Sequence, residues 1–470
     1  MSILTIQRVS WSRPLLALIS LSLLVGCTTY QPQPLPKQAP LEKDLSLLVA
    51  KVNQSIRPEL NSYRVNLADG LDLTEVAIVA VLANPDLRVR RAQLQVAGAQ
   101  AFAAGLLPDP LLATNIDHPT TAGYSNSLGL GLGYDIIPLI TRQSRISAAR
   151  DTHTKVQLQL LWQEWQVIQR ARSLAVRSRL EQQRLALLRK MHTLYQQRYQ
   201  HSQQGLLEGN LTLDINGTDL TALVDSFSQI SQLQLQHNQT QHDLHHLLGL
   251  QADVVISLAK LPAETPIDPV SVQAQLKRLP TIRPDLLALK AAYQAQEERV
   301  RAAILAQFPS FSIAISRARD TSNVYTGGFT ISLNLPLFNG NRGAIAIQRA
   351  TRKQLSAEYQ ARLAQTQTDV SRLMQLQSII KEQRQHLQTY LPRLKDLVKR
   401  ARRAYRQGDI DALTFLHMES TWLNKRLEQI SLQQSQWQNR IALQTLLALP
   451  QAGARAISAS VIQDNSHAMP

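Results

Sequence analysis

The chain has 470 residues, with 50 Lys and Arg against 34 Asp and Glu, a net charge of +16, and 44% hydrophobic but only 5% aromatic residues. Its one cysteine can close no intramolecular disulfide and support no multi-cysteine zinc site, which excludes both of those classes. Beyond residue 27 no run of 18 apolar residues occurs, which excludes a polytopic helical membrane protein, and the aliphatic content excludes a chain disordered throughout.

Residues 1–26 carry Arg8 and Arg13 but no acid, followed by an apolar stretch from Pro14 to Val25 that is too short to span a bilayer. This is the layout of a secretory signal peptide. It runs into Leu24-Val25-Gly26-Cys27, which resembles a bacterial lipobox, so cleavage is expected to leave Cys27 as a lipid-bearing first residue. Thr28 follows, with no aspartate to suggest inner-membrane retention, and the resemblance implies an outer-membrane anchor facing the periplasm. Loss of the leader takes Arg8 and Arg13 with it and leaves a net charge of +14. Residues 27–40 contain Pro32, Pro34, Pro36 and Pro40 and read as an extended tether between the lipid and the body.

The body is a duplicated unit, 41–260 and 261–450, before a tail at 451–470 that reads as disordered. Asn84-Pro85-Asp86-Leu87 opens one helical pattern, and Arg283-Pro284-Asp285-Leu286 opens a similar one 199 residues later. In each half a helix of about 20 residues ends before Pro108 or Pro309, two alternating segments follow, and then come two long helices. The second helix of each pair ends in Leu247-Leu248-Gly249-Leu250 or Leu446-Leu447-Ala448-Leu449.

The alternating segments are expected at about 111–118, 126–137, 310–317 and 326–337. Leu128, Leu130, Leu132 and Tyr134 alternate with glycines, and Phe329, Ile331, Leu333 and Leu335 alternate with Thr330, Ser332, Asn334 and Pro336. Apolar residues on one face and small or polar ones on the other suit transmembrane β-strands and half-buried soluble sheets alike. Four strands cannot close a barrel, because the smallest outer-membrane barrels need about eight and lipid tolerates no open edge. Oligomerisation would have to supply the rest.

From Thr141 to Gln204 there is neither proline nor glycine, and from Gly343 to Gln407 only Pro392 interrupts. At ~1.5 Å per residue such helices reach about 95 Å. Their apolar positions form narrow seams at four-and-three spacing, as in Leu423, Leu427, Ile430, Trp437 and Ile441, or Leu187, Met191 and Leu194. Each pair is expected to turn back at glycine, around Gly205 and Gly209 in the first hairpin and around Gly408 in the second, with the first turn about four residues the longer.

The lipobox, the duplicated helix-strand-strand-hairpin units, Asn-Pro-Asp-Leu at 84–87 and Leu335-Pro336-Leu337-Phe338-Asn339-Gly340-Asn341-Arg342 resemble the TolC family of outer-membrane efflux ducts, over about Leu71 to Pro450. The resemblance is closest to members serving metal and drug pumps, from Leu73 to Pro110. It implies a mainly α chain with a small β part, a homotrimer, a 12-stranded outer-membrane β-barrel with four strands per chain, and a long periplasmic α-helical coiled-coil barrel. It also implies a periplasmic adaptor and an inner-membrane transporter as partners, outer-membrane lipid around the strands, no catalysis and no cofactor.

In that family the hairpin tips gate the tunnel. The family's tip pattern is present as Tyr405-Arg406-Gln407-Gly408 and Leu413, but Thr414 and His417 stand where the founding member has ring aspartates. Asp409 and Asp411 lie nearer the turn, where they either present negative charge at a threefold entrance or cap the last helix. The candidate tip residues are therefore Gly205, Gly209, Gly408, Asp409, Asp411, Thr414 and His417, with Cys27 as the lipid attachment site.

Other constellations have plainer readings. His237, His242, His245 and His246 have metal-ligand spacing but lack a completing carboxylate beyond Asp243, so no metal is assigned. The basic run Arg393, Lys395, Lys399, Arg400, Arg402, Arg403 and Arg406 would suggest nucleic acid in a cytosolic protein; after secretion it reads as a solvated face or an adaptor contact. Asp214 to Asp219 resembles a calcium loop with its glycine and terminal glutamate misplaced. The chain thus reads as a passive exit duct for small molecules, drugs or metal ions, with a protein-secretion exit or a non-conducting coiled-coil scaffold as alternatives.

Overall fold

The structure, a computed structural model, describes residues 30–55, 64–263 and 267–449; the leader, Cys27 and the tail lie outside these residues. Residues 1–41 and 42–470 are two separate units. In the first, residues 30–41 carry neither helix nor strand, as four prolines dictate.

In the second unit the elements are α1 (Leu45–Ser55), α2 (Leu73–Ala83), α3 (Pro85–Gly105), β1 (Leu111–Asp117), β2 (Ser127–Asp135), the one-turn α4 (Ile137–Ile140), α5 (Arg142–Leu207) and α6 (Leu213–Leu248). The second repeat supplies α7 (Pro269–Ile282), α8 (Pro284–Leu305), β3 (Ser310–Arg319), β4 (Tyr325–Asn334), α9 (Arg342–Gln407) and α10 (Ala412–Leu446). Helix starts are written locally. Asp72 and Glu75 form a capping box at α2, Asn84 accepts from Leu87 N at 2.9 Å with Pro85 at the first position of α3, and Asp268 caps α7 ahead of Pro269. Two of the alternating segments are shorter than expected. Asp135 ends β2 by accepting from Ile137 N at 3.1 Å, which starts α4, and β4 stops at Asn334 before Pro336.

The four strands form one antiparallel sheet in chain order, β1-β2-β3-β4. β2 and β3 join the repeats, with Leu132 opposite Ile315 and Tyr134 opposite Ile313. α5 and α9 each run 66 residues, about 99 Å at the helical rise, and α9 passes through Pro392 without a break. Side by side, the long helices are ordered α6-α5-α10-α9, while the first part of α5 also packs on α3 and α8. The expected seams are the cores: Leu423, Ile430, Trp437, Ile441, Met191 and Leu194 are buried. The largest cluster lies where α1 and α2 meet the middle of α5 and the end of α6, and includes Leu48, Ile78, Leu87, Leu160 and Leu248.

Candidate functional site

Register places every outward or inward side chain of the sheet. One face carries Leu112, Thr114 and Ile116 of β1, Leu128, Leu130 and Leu132 of β2, Ile313 and Ile315 of β3, and Phe329, Ile331 and Leu333 of β4. Most of these large apolar side chains are exposed: Leu112 67%, Ile315 59%, Phe329 65%. The other face carries Asn115, Asp117, Ser127, the glycines 129, 131 and 133, Ser312, Ser316, Thr330 and Ser332. At Gly129 the space is taken: a Cβ there would run into the Asn115 side chain. An exposed apolar face, an opposite face of small and polar residues and two unpaired edges, β1 and β4, have the chemistry of a partial lipid-facing barrel. Among the described residues no helix is long and apolar enough to cross a membrane.

At the second hairpin tip Gly408 adopts φ +80°, Gly408 N donates to Tyr405 O at 3.2 Å and Asp409 N to Ala404 O at 2.9 Å, closing α9 with a left-handed cap. Asp411 then starts α10: its Oδ1 accepts from Thr414 N and its Oδ2 from Thr414 Oγ1, both at 2.8 Å. These bonds, first the backbone one and then the hydroxyl, hold the Asp411 carboxyl below its ordinary range. Capping by Asp411 is thus observed, and Asp409 sits exposed in the turn. His417 is exposed, and its carbonyl accepts from Ser420 Oγ at 2.8 Å. Below the turn, Tyr405 stacks on Phe415 with centroids 5.4 Å apart, and Arg402 lies over Phe415 while pairing with Glu419 at 2.8 Å.

The first tip differs from expectation. Gly205 is helical, not part of the turn, because α5 continues to Leu207 and Leu211 folds back over it; a Cβ there would meet Leu211 Cδ1 at 2.7 Å. Asn210 N and Leu211 N both donate to Gly205 O, at 2.8 and 3.0 Å, and Gly209 takes the left-handed turn at φ +74°. The connection is residues 208–212 against 408–411 in the second hairpin, so it is longer by one residue rather than four.

The remaining constellations are absorbed by packing. Asp214 to Asp219 is the first part of α6 and forms no ion loop. Among the described residues no His, Cys, Asp and Glu cluster can hold a metal; His245 has its ring nitrogens 2.7 and 2.6 Å from the carbonyls of Gln241 and Val254, and His237 lies 3.3 Å from Glu181. The basic run is exposed along α9, with Arg400 paired to Asp396 at 2.8 Å.

Three buried polar groups escaped the sequence. Arg198 and Asp219 are 2.7 Å apart across the first hairpin, close enough for an ion pair yet misaligned for a hydrogen bond. Glu181 accepts from Arg177 at 2.8 Å and from Thr240 at 3.3 Å, tying α5 to α6. Arg283 reaches Asp285 at 2.7 and 2.9 Å and Thr366 at 2.8 Å, with its guanidinium 4.8 Å from the Trp162 ring. Pairs separated by up to 83 residues leave no periodic signal to read.

Residues 277–449 match the family described as outer membrane efflux protein. No curated protein sequence matches the chain. Among solved structures, CusC is similar at 20% identity and TM-score 0.61, covering 90% of this chain and 99% of that one. The outer-membrane channel OprN is similar at 17% identity and TM-score 0.67, covering 90% and 99%, and the Campylobacter jejuni CmeC outer membrane channel at 14% and 0.67, covering 94% and 99%. The match falls within the second repeat. At these identities the likeness to solved structures defines the fold, and the chain has the TolC-like fold of the outer-membrane efflux channels.

Proposed function

We propose that the protein is the passive outer-membrane exit duct of a tripartite efflux pump. Three copies pair β4 of one with β1 of the next, closing a 12-stranded barrel in lipid, while α6 and α9, at the two ends of the helix order, meet in the same sense and close a helical conduit below. One rotation serves both closures because sheet and helices run through the repeats in the same order. Cys27 carries the lipid anchor. An adaptor docks at the hairpin tips, and an inner-membrane transporter drives drugs or metal ions into the duct.

The observation that carries this reading is the sheet: four strands with an exposed apolar face and two open edges. A lumen lined by Gly, Ser, Thr and Asn offers wet passage with little binding, which favours flux. At the entrance, Asp409 and Asp411 of three copies supply a ring of negative charge, with Thr414 and His417 behind it and the open glycines at 209 and 408 allowing close approach of the tips.

Single-channel conductance of the lipidated protein in planar bilayers, with crosslinking to count subunits, tests the duct. Trimers with discrete conductance are expected; monomers without conductance would favour a scaffold. Unchanged conductance and cation preference after Asp409→Asn with Asp411→Asn would remove the gate assignment while leaving the duct.

A further inference from the structure

On the outward face of the sheet the side chains stand in layers across the strands. Phe311 lies opposite Leu333, Ile313 opposite Ile331, and Leu132, Ile315 and Phe329 share one layer. The next two layers change character: Leu130, Arg317 and Gly327, then Leu128, Arg319 and Tyr325. Two arginines therefore stand on the face that is otherwise apolar.

Their position along the strands is defined by the topology. The turns 118–126 and 320–324 join the strands at one end, whereas α3, α4, α8 and α9 all attach at the other, so Arg317 and Arg319 lie at the end away from the helices. Six residues separate Phe311 from Arg317, about 20 Å along a strand, which places the arginines at the upper margin of an apolar band about 25 Å tall. Tyr325, opposite Arg319, is the kind of aromatic residue that marks such a margin.

Neither arginine has a carboxylate partner among the described residues. Arg319 donates Nη2 to Asn126 O at 3.0 Å, and its buried Nε has no partner. The acids at the same end of the sheet hold other bonds: Asp117 on the opposite face accepts from Ser127 Oγ at 2.8 Å, and Asp320 accepts from the backbone of Ser322 and Val324 at 2.8 and 2.9 Å. Beside Arg317, Gly327 leaves open space, with nothing within 4 Å of where a Cβ would stand. β3 is an inner strand, so this face stays open to lipid when another copy pairs with β4.

Arg317, exposed beside the open space at Gly327, and Arg319, half-buried with one donor taken by Asn126 O, stand without a protein anion at a membrane margin and match a phosphate by charge and by their forks of donors. We propose that Arg317 and Arg319 bind the phosphate of a phosphorylated glycolipid in the outer leaflet. The assignment rests on the barrel reading above, which sets the outward face in lipid and the turn end outermost.

The test places full-length trimers in phosphatidylcholine nanodiscs containing a bis-phosphorylated glucosamine-disaccharide lipid and counts retained glycolipid by native mass spectrometry, with conductance recorded on the same preparations. Retention by the natural protein is expected to fall at least tenfold in Arg317→Gln with Arg319→Gln, to survive in part in the Lys pair, and to fall likewise when the glycolipid lacks its phosphates. Conductance is expected to be unchanged. Equal retention by the natural and the Gln protein, with conductance intact, overturns the site and leaves the barrel standing; absence of conductance in the natural protein overturns the barrel and the site with it. Complete displacement of the glycolipid by millimolar inorganic phosphate would overturn lipid recognition in favour of a free-anion site.

Discussion

Gly249 and Ala448 hold the same place in the two repeats and share a left-handed backbone, at φ +68° and +51°. The hydrogen bonds repeat as well: Gly249 N to His246 O and Leu250 N to His245 O at 3.2 and 2.9 Å, Ala448 N to Thr445 O and Leu449 N to Gln444 O at 3.2 and 3.0 Å. The two halves thus share a helix ending whose natural residue is glycine, and the second keeps it with a side chain in place.

That difference makes the two sites unequal under exchange. Gly249→Ala would put a Cβ 3.0 Å from Ala83 O in an already unfavourable backbone, and a loss of about 1–2 kcal/mol is expected. Ala448→Gly relieves its backbone but gives up a buried methyl worth about 0.8 kcal/mol, so a near-neutral change is expected. Thermal unfolding of the two variants in detergent checks the contrast; equal shifts would show that the shared conformation carries no strain.

Period-two segments, caps and seams were legible because they are local: Asn84-Pro85, the Gly-alternating run at 128–134 and the seam through Leu423 and Trp437 each state their own structure. What could not be read depends on distant partners. Gly205 carries every local sign of a turn, yet Leu211 packs onto it and keeps the helix going for two more residues. Arg283 stands where the first repeat has the capping Asn84, and only the arrival of Thr366 and Trp162 shows why a charge is tolerated there. Of the candidate site, the two sheet faces are legible in the alternation, whereas the role of Asp411 is not, since an exposed acid at a tip serves capping and charge alike.

Arg283 is buried with Asp285 as its counter-charge. Removing the acid alone, by Asp285→Ala, leaves a guanidinium without its bidentate partner and is expected to cost about 3–5 kcal/mol. Replacing both, Arg283→Met with Asp285→Leu, removes the stranded charge and is expected to recover most of that loss. Denaturant midpoints of the single and double variants check this; additive losses would show that the pair is not coupled.

The Asp411 cap has a pH signature. Its carboxyl is held low in the folded chain by Thr414, so its contribution is present above the unfolded carboxylate pKa and is lost as pH falls through the folded value. Asp411→Ala is expected to cost about 1 kcal/mol at neutral pH, with the gap to the natural protein closing below about pH 4. Asp411→Asn keeps the cap and loses the pH dependence. Unfolding followed from pH 7 to pH 3 separates the three proteins, and a constant gap across that range would refute the linkage.

Adjacent residues on β3 should respond in opposite ways, because Ser312 stands on the small polar face of the sheet and Ile313 on the apolar one, which the proposed barrel turns inward and outward. Ile313→Arg puts a charge into the middle of the apolar face, where an arginine costs about 2–4 kcal/mol, and loss of heat-resistant trimers from the membrane fraction is expected. In the proposed trimer, Ser312→Arg is expected to leave assembly intact and to add three positive charges to the lumen, lowering cation conductance. Trimer yield and reversal potential in a salt gradient read the two effects separately. Loss of trimers with the inward variant and survival with the outward one would reverse the assignment of the faces, and with it the claim that the small residues between the leucines line a passage.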